Sequence, residues 1–308
     1  MLAPVVIFVY NRYHQAKLCI ESLSKNSIAQ DSDVYIFSDG KKDSDKTDKV
    51  NQVRDYIDSL VGNNVFKNLH IEKSDHNKGL AESVIYGVNC IIEQYGNIIV
   101  LEDDLVTSTD FLQYMNDALT FYENNNKIWS ISGYTYDFKI PNYHNHDIFL
   151  AYRACSWGWA TWKNRWKVTD WEVKDFNELI TKKTMQKQFL RGGYDTVRTL
   201  KDWVDGNNDS WAIRWCYTQS KLDMLTVYPI QSRVSNIGFG KDGTHYSKEE
   251  PKFHTDLEHG CKKCKFENIE MDEVINKKFN NYYLSHTTFI LSNIKIFLLK
   301  ILHFIKKQ

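Results

Sequence analysis

The feature that most constrains this chain is the alternation of apolar strand runs and amphipathic helical stripes over its first 130 residues. Residues 5–10 (VVIFVY) form a continuous apolar run, and Ala16, Cys19, Ile20 and Leu23 follow at the spacing of one helix face. Residues 34–37 (VYIF) read as a second strand, ending in the turn Ser38-Asp39-Gly40. A polar helix over 47–60 and a short strand over 69–71 come next. Leu80, Val84, Val88, Ile91 and Tyr95 mark another helix, closed by Gly96 as a C-terminal cap. Residues 98–101 (IIVL) are unbroken, as a strand covered on both faces should be. A helix carrying Phe111, Met115, Ala118 and Tyr122 follows, then a strand over 128–132. This pattern predicts an α/β fold, a mostly parallel sheet flanked by helices. Ligands of such sheets bind at the carboxyl ends of the strands.

Past Tyr143 the texture changes to short strands, many tryptophans and loops rich in Gly, Asn and Asp. There is no repeat and no proline-rich linker, so one continuous domain over 1–250 is expected, with a ligand-binding half (1–130) and an irregular second half (131–250). A polar connecting segment (251–275) leads to a basic amphipathic tail (276–308). In the tail Lys277, Lys278, Lys295, Lys300, Lys306 and Lys307 flank or interrupt the apolar run 289–305. A spanning helix needs roughly 20 apolar residues. A helix lying among lipid headgroups, lysines on anionic lipid, suits the tail better, the alternative being a helix packed on the domain.

The charge balance, 39 basic against 39 acidic side chains, excludes a general nucleic-acid binder. Six scattered cysteines behind a strand-like start, with no signal peptide read there, lead to the expectation of a reducing, cytoplasmic setting. His254, His259, Cys261 and Cys264 offer a weak zinc pattern, because a second CxxC is lacking. Aromatics are in surplus at 14%, with nine tryptophans, more flat surface than a core of this size needs.

Glu102-Asp103-Asp104 ends the apolar strand 98–101. Adjacent acids at a buried strand end repel one another, and a divalent cation removes that cost. Hard oxygen ligands suit Mg²⁺ or Mn²⁺, which usually bridge to a substrate phosphate; a loop of solvated acids is the alternative.

These residues, with others downstream, resemble nucleotide-sugar glycosyltransferases of the GT-A fold, most closely the N-acetylglucosaminyltransferase I family. Segment 98–115 (IIVLEDDLVTSTDFLQYM) is similar to that family's strand, acidic triplet and aromatic helix. The resemblance implies a Rossmann-like GT-A sheet. It makes Asp104 the ligand to Mn²⁺ (or Mg²⁺) and puts Glu102, beside Asp103, on the donor sugar. Tyr10-Asn11-Arg12 resembles the end of the first strand, which implies Arg12 as a nucleotide contact. Phe37-Ser38-Asp39 resembles the end of the second, which implies Asp39 as acceptor from uracil. Asn208-Asp209-Ser210-Trp211 resembles a Trp-Asp-Asp-Trp segment whose first aspartate is the catalytic base, implying Asp209, although Asn208 replaces the leading tryptophan. Residues 228–233 and 238–245 resemble the closing stretch, where a loop orders over bound donor. There Gly238, Gly240 and Gly243 supply hinges, and Gly243, Thr244 and His245 are expected at the donor, with His245 reaching the diphosphate or the acceptor, the alternative being a structural loop histidine.

Cys155 to Trp162 (CSWGWATW) occupies the place of the family's acceptor-side loop. Tryptophans stack on sugar rings, so Trp157, Trp159 and Trp211 are candidate sugar contacts, with a core aromatic cluster as the alternative. Trp129, Trp171 and Trp203 read as core. The implied enzyme is an inverting, metal-dependent hexosyltransferase moving GlcNAc or a related hexose from a UDP-sugar to a hydroxyl of a glycan. The basic apolar tail suggests a lipid-linked acceptor in bacterial surface polysaccharide assembly, at the inner face of the cytoplasmic membrane. Two rivals remain. A sugar-nucleotide nucleotidyltransferase would want a glycine-rich phosphate loop after the first strand, and Tyr10-Asn11-Arg12 has none. A non-catalytic carbohydrate-binding protein would not need the acids.

Overall fold

The computed structural model describes residues 1–239, 255–257 and 263–283. Strands β1 (Val5–Val9), β2 (Asp33–Ser38), β3 (Asn68–Lys73) and β4 (Asn97–Glu102) alternate with helices α1 (Tyr13–Ser24), α2 (Lys49–Ser59) and α3 (Leu80–Tyr95). The expected stripe of α1 is the one it buries: Ala16, Cys19, Ile20 and Leu23. Gly96 ends α3 at φ 81°, and its N–H bonds the Ile92 carbonyl at 3.0 Å. After β4 come β5 (Leu105–Thr107), α4 (Phe111–Tyr122), β6 (Ile128–Ser132), β7 (Ile148–Ala151) and β8 (Trp159–Trp162). Five helices then run from 163 to 221: α5 (Lys163–Trp166), α6 (Phe176–Thr181), α7 (Lys183–Leu190), α8 (Thr196–Val204) and α9 (Trp211–Lys221). Strands β9 (Leu225–Pro229) and β10 (Val234–Asn236) and helix α10 (Glu273–Tyr283) complete the described elements.

Eight strands form one sheet in the order β3-β2-β1-β4-β8-β6-β9-β7. The pairs β2–β3, β1–β2, β1–β4 and β6–β9 are parallel, while β8 runs antiparallel to β4 and β6, and β7 to β9. The fold is thus the expected Rossmann-like α/β sheet, mainly parallel. Both faces are covered, as the unbroken apolar runs require. Val5, Ile7, Val9, Ile99 and Leu101 enter one hydrophobic cluster; Val6, Phe8, Ile98 and Val100 enter the other. Because β1 lies between β2 and β4, the chain order switches direction there, which opens a crevice at the carboxyl ends of these strands. A small ribbon pairs β5 with β10 beside that crevice.

Two expectations change. The stretch after 143 is richer in helix than its texture suggests, since five helices lie between 163 and 221. Its helical period is carried by tryptophans packed on one another, such as Trp211 and Trp215 one turn apart on α9, rather than by aliphatic stripes. The expected tail begins as a packed helix: α10 buries Ile275 and Phe279, and Phe279 lies 4.7 Å from the Tyr228 ring. Asn276 and Asn280 both donate to the Arg191 carbonyl, at 3.1 and 2.5 Å. Residues 284–308, with the apolar run, lie outside the described residues, as do Gly240, Gly243, Thr244, His245, His254, His259 and Cys261. Among the described residues no helix is long and apolar enough to cross a membrane.

Candidate active site

A cleft of about 760 Å³ opens at the carboxyl ends of β1, β2 and β4, lined by Arg12, Asp39, Asp104, Trp157 and Asp209 among others. Glu102 is the last residue of β4, and Asp103 and Asp104 make the turn into β5. Asp103, 3% exposed, points inward: Arg12 Nη2 lies 2.5 Å from its Oδ1, and the Tyr10 N–H donates to Oδ2 at 3.4 Å. It is a strut joining the ends of β1 and β4. Arg12 Nη1 also reaches Asp104 Oδ2 at 3.0 Å, so the guanidinium expected on the nucleotide is seated on the acidic turn. Asp104 is held from the other side by the ribbon. The Ile237 N–H bonds the Asp104 carbonyl at 2.8 Å, and a Cβ on Gly238 would fall 2.1 Å from Asp104 Oδ2. A side chain at Gly238 would displace the Asp104 carboxylate from this position.

Three carboxylates against one guanidinium leave an excess of negative charge at a partly dry strand end. Burial pushes the Glu102 carboxyl well above the ordinary carboxylate range, Asp104 and Asp103 push it further, and Arg12 opposes them. The donor set fits a hard divalent cation: carboxylate oxygens, with Asp104 facing the cleft at 14% side-chain exposure. Among the described residues no group of three or more His, Cys, Asp or Glu is arranged to hold an ion by itself. An ion on Asp104 would complete its shell with water and substrate oxygens, as Mg²⁺ and Mn²⁺ commonly do.

The raised Glu102 carboxyl has a stability consequence. A carboxyl raised in the folded state binds more protons folded than unfolded, so stability falls as pH rises from its unfolded value, about 4.3, through the raised one. In chelated, metal-free protein, Glu102→Gln is expected to raise Tm by on the order of 5 °C at pH 8 and hardly at all at pH 4. Thermal melts at both values check it; an equal shift at both would show that ionisation of the buried Glu102 carboxyl is not the cause.

Asp39 leaves β2 and turns onto the loop ahead of α3. Its Oδ1 accepts from the Gly40 and Lys78 N–H groups at 2.8 and 2.9 Å, and its Oδ2 from Asn77 Nδ2 and the Gly79 N–H at 2.9 and 3.0 Å. Gly79 starts α3 with φ 80°, a left-handed conformation that glycine adopts without strain. Asp209, exposed at the rim of the cleft, precedes α9, whose N-cap Ser210 accepts from the Ile213 N–H at 3.3 Å. Its Oδ2 accepts from the Ala81 N–H in the first turn of α3 at 3.4 Å.

The tryptophans divide. Trp157 is half-buried and lines the cleft, with its ring 4.6 Å from Tyr134 and 5.7 Å from Phe239. Trp159 and Trp211, expected on sugar, are 0% and 2% exposed and lie in the core instead. Trp159 packs 4.5 Å from Trp215 and 5.2 Å from Trp211, and stacks on Trp166 at 5.5 Å. The reason is β8, which sits between β4 and β6 in a sheet covered on both faces, leaving no exposed side for its residues. Gly158 at φ 65° breaks the alternation just before the strand and lets Trp157 turn toward the cleft. Trp129 is buried as expected, and Trp171 and Trp203 pack half-buried against the same cluster.

Sequence reasoning missed Asn77, Lys78 and Gly79, which line the cleft and bind Asp39. Their signal was present in Asn77-Lys78-Gly79, turn-type residues directly before an amphipathic helix. Asn236 was missed as well; its Oδ1 accepts from the Gly238 N–H at 2.7 Å.

No family model matches this chain, and no curated protein matches it significantly. Solved structures do. TarS 1–349 of S. aureus in complex with UDP-GlcNAc aligns at 16% identity over 47% of this chain and 36% of its own, with a TM-score of 0.32. A structure of S. aureus TarS aligns at 16% over 46% of this chain and 23% of its own, with a TM-score of 0.32. TarS 1–349 alone aligns at 15% over 52% of this chain and 47% of its own, with a TM-score of 0.35. The matched part of this chain thus spans less than half the length of each.

Proposed function

We propose that this chain is an inverting glycosyltransferase that moves GlcNAc or a related hexose from a UDP-sugar to a hydroxyl of a glycan acceptor. What supports the reading is a single cleft, at the carboxyl ends of β1 and β4, lined by the acidic turn, Arg12 and Asp209. Asp209 takes the acceptor hydroxyl's proton as its oxygen attacks the anomeric carbon from the face opposite the leaving group. The new C–O bond forms as the bond to the diphosphate breaks, and the electron pair leaves with UDP. Glu102 borders the donor sugar, while Arg12 and Asp103 hold the shape of the acidic turn. When bound at Asp104, Mn²⁺ or Mg²⁺ supplies Lewis-acid stabilisation of the charge gathering on the diphosphate. Trp157 offers a ring face to the sugar or the acceptor. The lysines and apolar run of the tail support work at the inner face of a bacterial cytoplasmic membrane on a lipid-linked glycan, as part of surface polysaccharide assembly.

Calorimetric titration of UDP with and without Mn²⁺ tests the metal assignment. Wild type is expected to bind UDP at least about tenfold more tightly with the ion, a gain of about 1.4 kcal/mol. Asp104→Ala is expected to lose that gain. Equal UDP affinity with and without Mn²⁺ in wild type would remove the ion from the account.

A further inference from the structure

We infer that Asn208 and Arg214 are positioning residues for Asp209, which together clamp the 208–210 turn so that its carboxylate stays at the cleft. The inference rests on the proposed function for the role of Asp209, but its physical content is a set of contacts on either side of that residue.

Asp209 is lightly held by its own side chain. It is exposed at the cleft rim, and its Oδ2 accepts a long bond from the Ala81 N–H at 3.4 Å. A side chain held so lightly takes its place from its backbone, and the backbone is fixed by its two neighbours. Asn208 uses both ends of its amide. Its Nδ2 donates to the Thr199 carbonyl of α8 at 3.2 Å, and its Oδ1 accepts from the Ser210 N–H at 3.1 Å. The second bond closes an Asx turn around Asp209, and the first pins that turn to α8.

Arg214 holds the other flank. It is the fourth residue of α9, close to a helix start where the dipole disfavours a cation. It is nevertheless only 8% exposed, and its side chain folds back toward that start. Its Nε donates to the Ser210 carbonyl at 3.2 Å and its Nη1 to the Trp171 carbonyl at 3.1 Å. The guanidinium carbon lies 4.7 Å from the Trp203 ring and 5.6 Å from the Trp171 ring, so two half-buried tryptophans steady it. Burial pulls the guanidinium below its ordinary value, and the Asp209 carboxylate opposes that shift. As a device for stability alone a buried cation is poor, because an apolar residue of similar volume often does as well. Holding Ser210 against Trp171, beside the carboxylate of Asp209, gives it a task that an apolar residue cannot perform. A shift of about 1 Å in a reacting group can cost as much as 10²-fold in rate.

The test compares wild type, Asn208→Ala and Arg214→Met by steady-state kinetics, UDP calorimetry and native-state hydrogen exchange. Methionine fills much of the same space without leaving a buried donor unpaired. Both variants are expected to lower kcat about 10- to 100-fold while UDP affinity stays within about threefold. In an Asp209→Asn background each is expected to add almost nothing, because residues acting as one unit are not additive. A merely structural role would lower turnover by the same factor in both backgrounds, which overturns the inference. The Ala81 amide should exchange faster in both variants, as it should in Asp209→Ala, because its partner has moved. That readout needs no turnover, so a wild type inactive on every UDP-sugar would sink the proposed function while the clamp is still judged by exchange. Intact kcat, or Ala81 protection unchanged in both variants, also overturns the inference. Should Arg214→Met fail to fold, Asn208→Ala decides alone.

Discussion

Asp209→Asn is expected to lower sugar transfer by about 10²–10⁴ while UDP binds as in wild type. The substitution separates proton transfer from architecture. Asparagine keeps an acceptor oxygen for the Ala81 N–H, so the junction between the start of α3 and the 208–210 turn survives. An amide, however, cannot take the proton of an attacking hydroxyl. Turnover by the variant at the wild-type rate would remove Asp209 as the base. A loss of UDP affinity matching the loss of rate would instead mark it as a binding residue.

The second large effect is on stability. Trp159→Ala is expected to cost about 3–5 kcal/mol, the range for emptying a large buried aromatic site. Trp159 is fully buried against Trp166, Trp211 and Trp215, and none of these can collapse into the space without disturbing the others. Trp157→Ala is expected to cost less, because that ring is half-buried at the cleft wall. Urea unfolding of both variants measures the difference as a shift in midpoint at constant slope. If Trp159→Ala unfolds like wild type yet loses transfer, the sugar-contact role returns to Trp159.

The sequence made the local parts of this molecule legible and hid the non-local ones. The stripe of α1, the glycine cap of α3 and the apolar run of β4 follow from short-range spacing, and each appears where that spacing places it. The acidic turn was legible for the same reason, as charge abutting a buried strand. The burial of Trp159 was not. It depends on β8 inserting between β4 and β6, a pairing that joins Ile99 to Ala160 and Ile131 to Ala160 across the chain. Nothing in the segment CSWGWATW distinguishes a tryptophan facing a cleft from one facing a sheet neighbour. The partners of Asp39 were hidden likewise, since Asn77 and Gly79 reach it only because β2 and β3 pair in parallel. Arg12 shows a third kind of gap. Its position at the end of β1 was readable, but its seat on Asp103 and Asp104 required β1 and β4 to be neighbours.

Transfer of sugar from a UDP-sugar in this cleft is the central claim to test. The most direct measurement is UDP release from a panel of UDP-sugars, with and without Mn²⁺, by wild type and Asp209→Asn. Mn²⁺-dependent release by wild type from at least one donor, and its loss in the variant, is the expected result. Release from none of them, or equal release by both proteins, would contradict it.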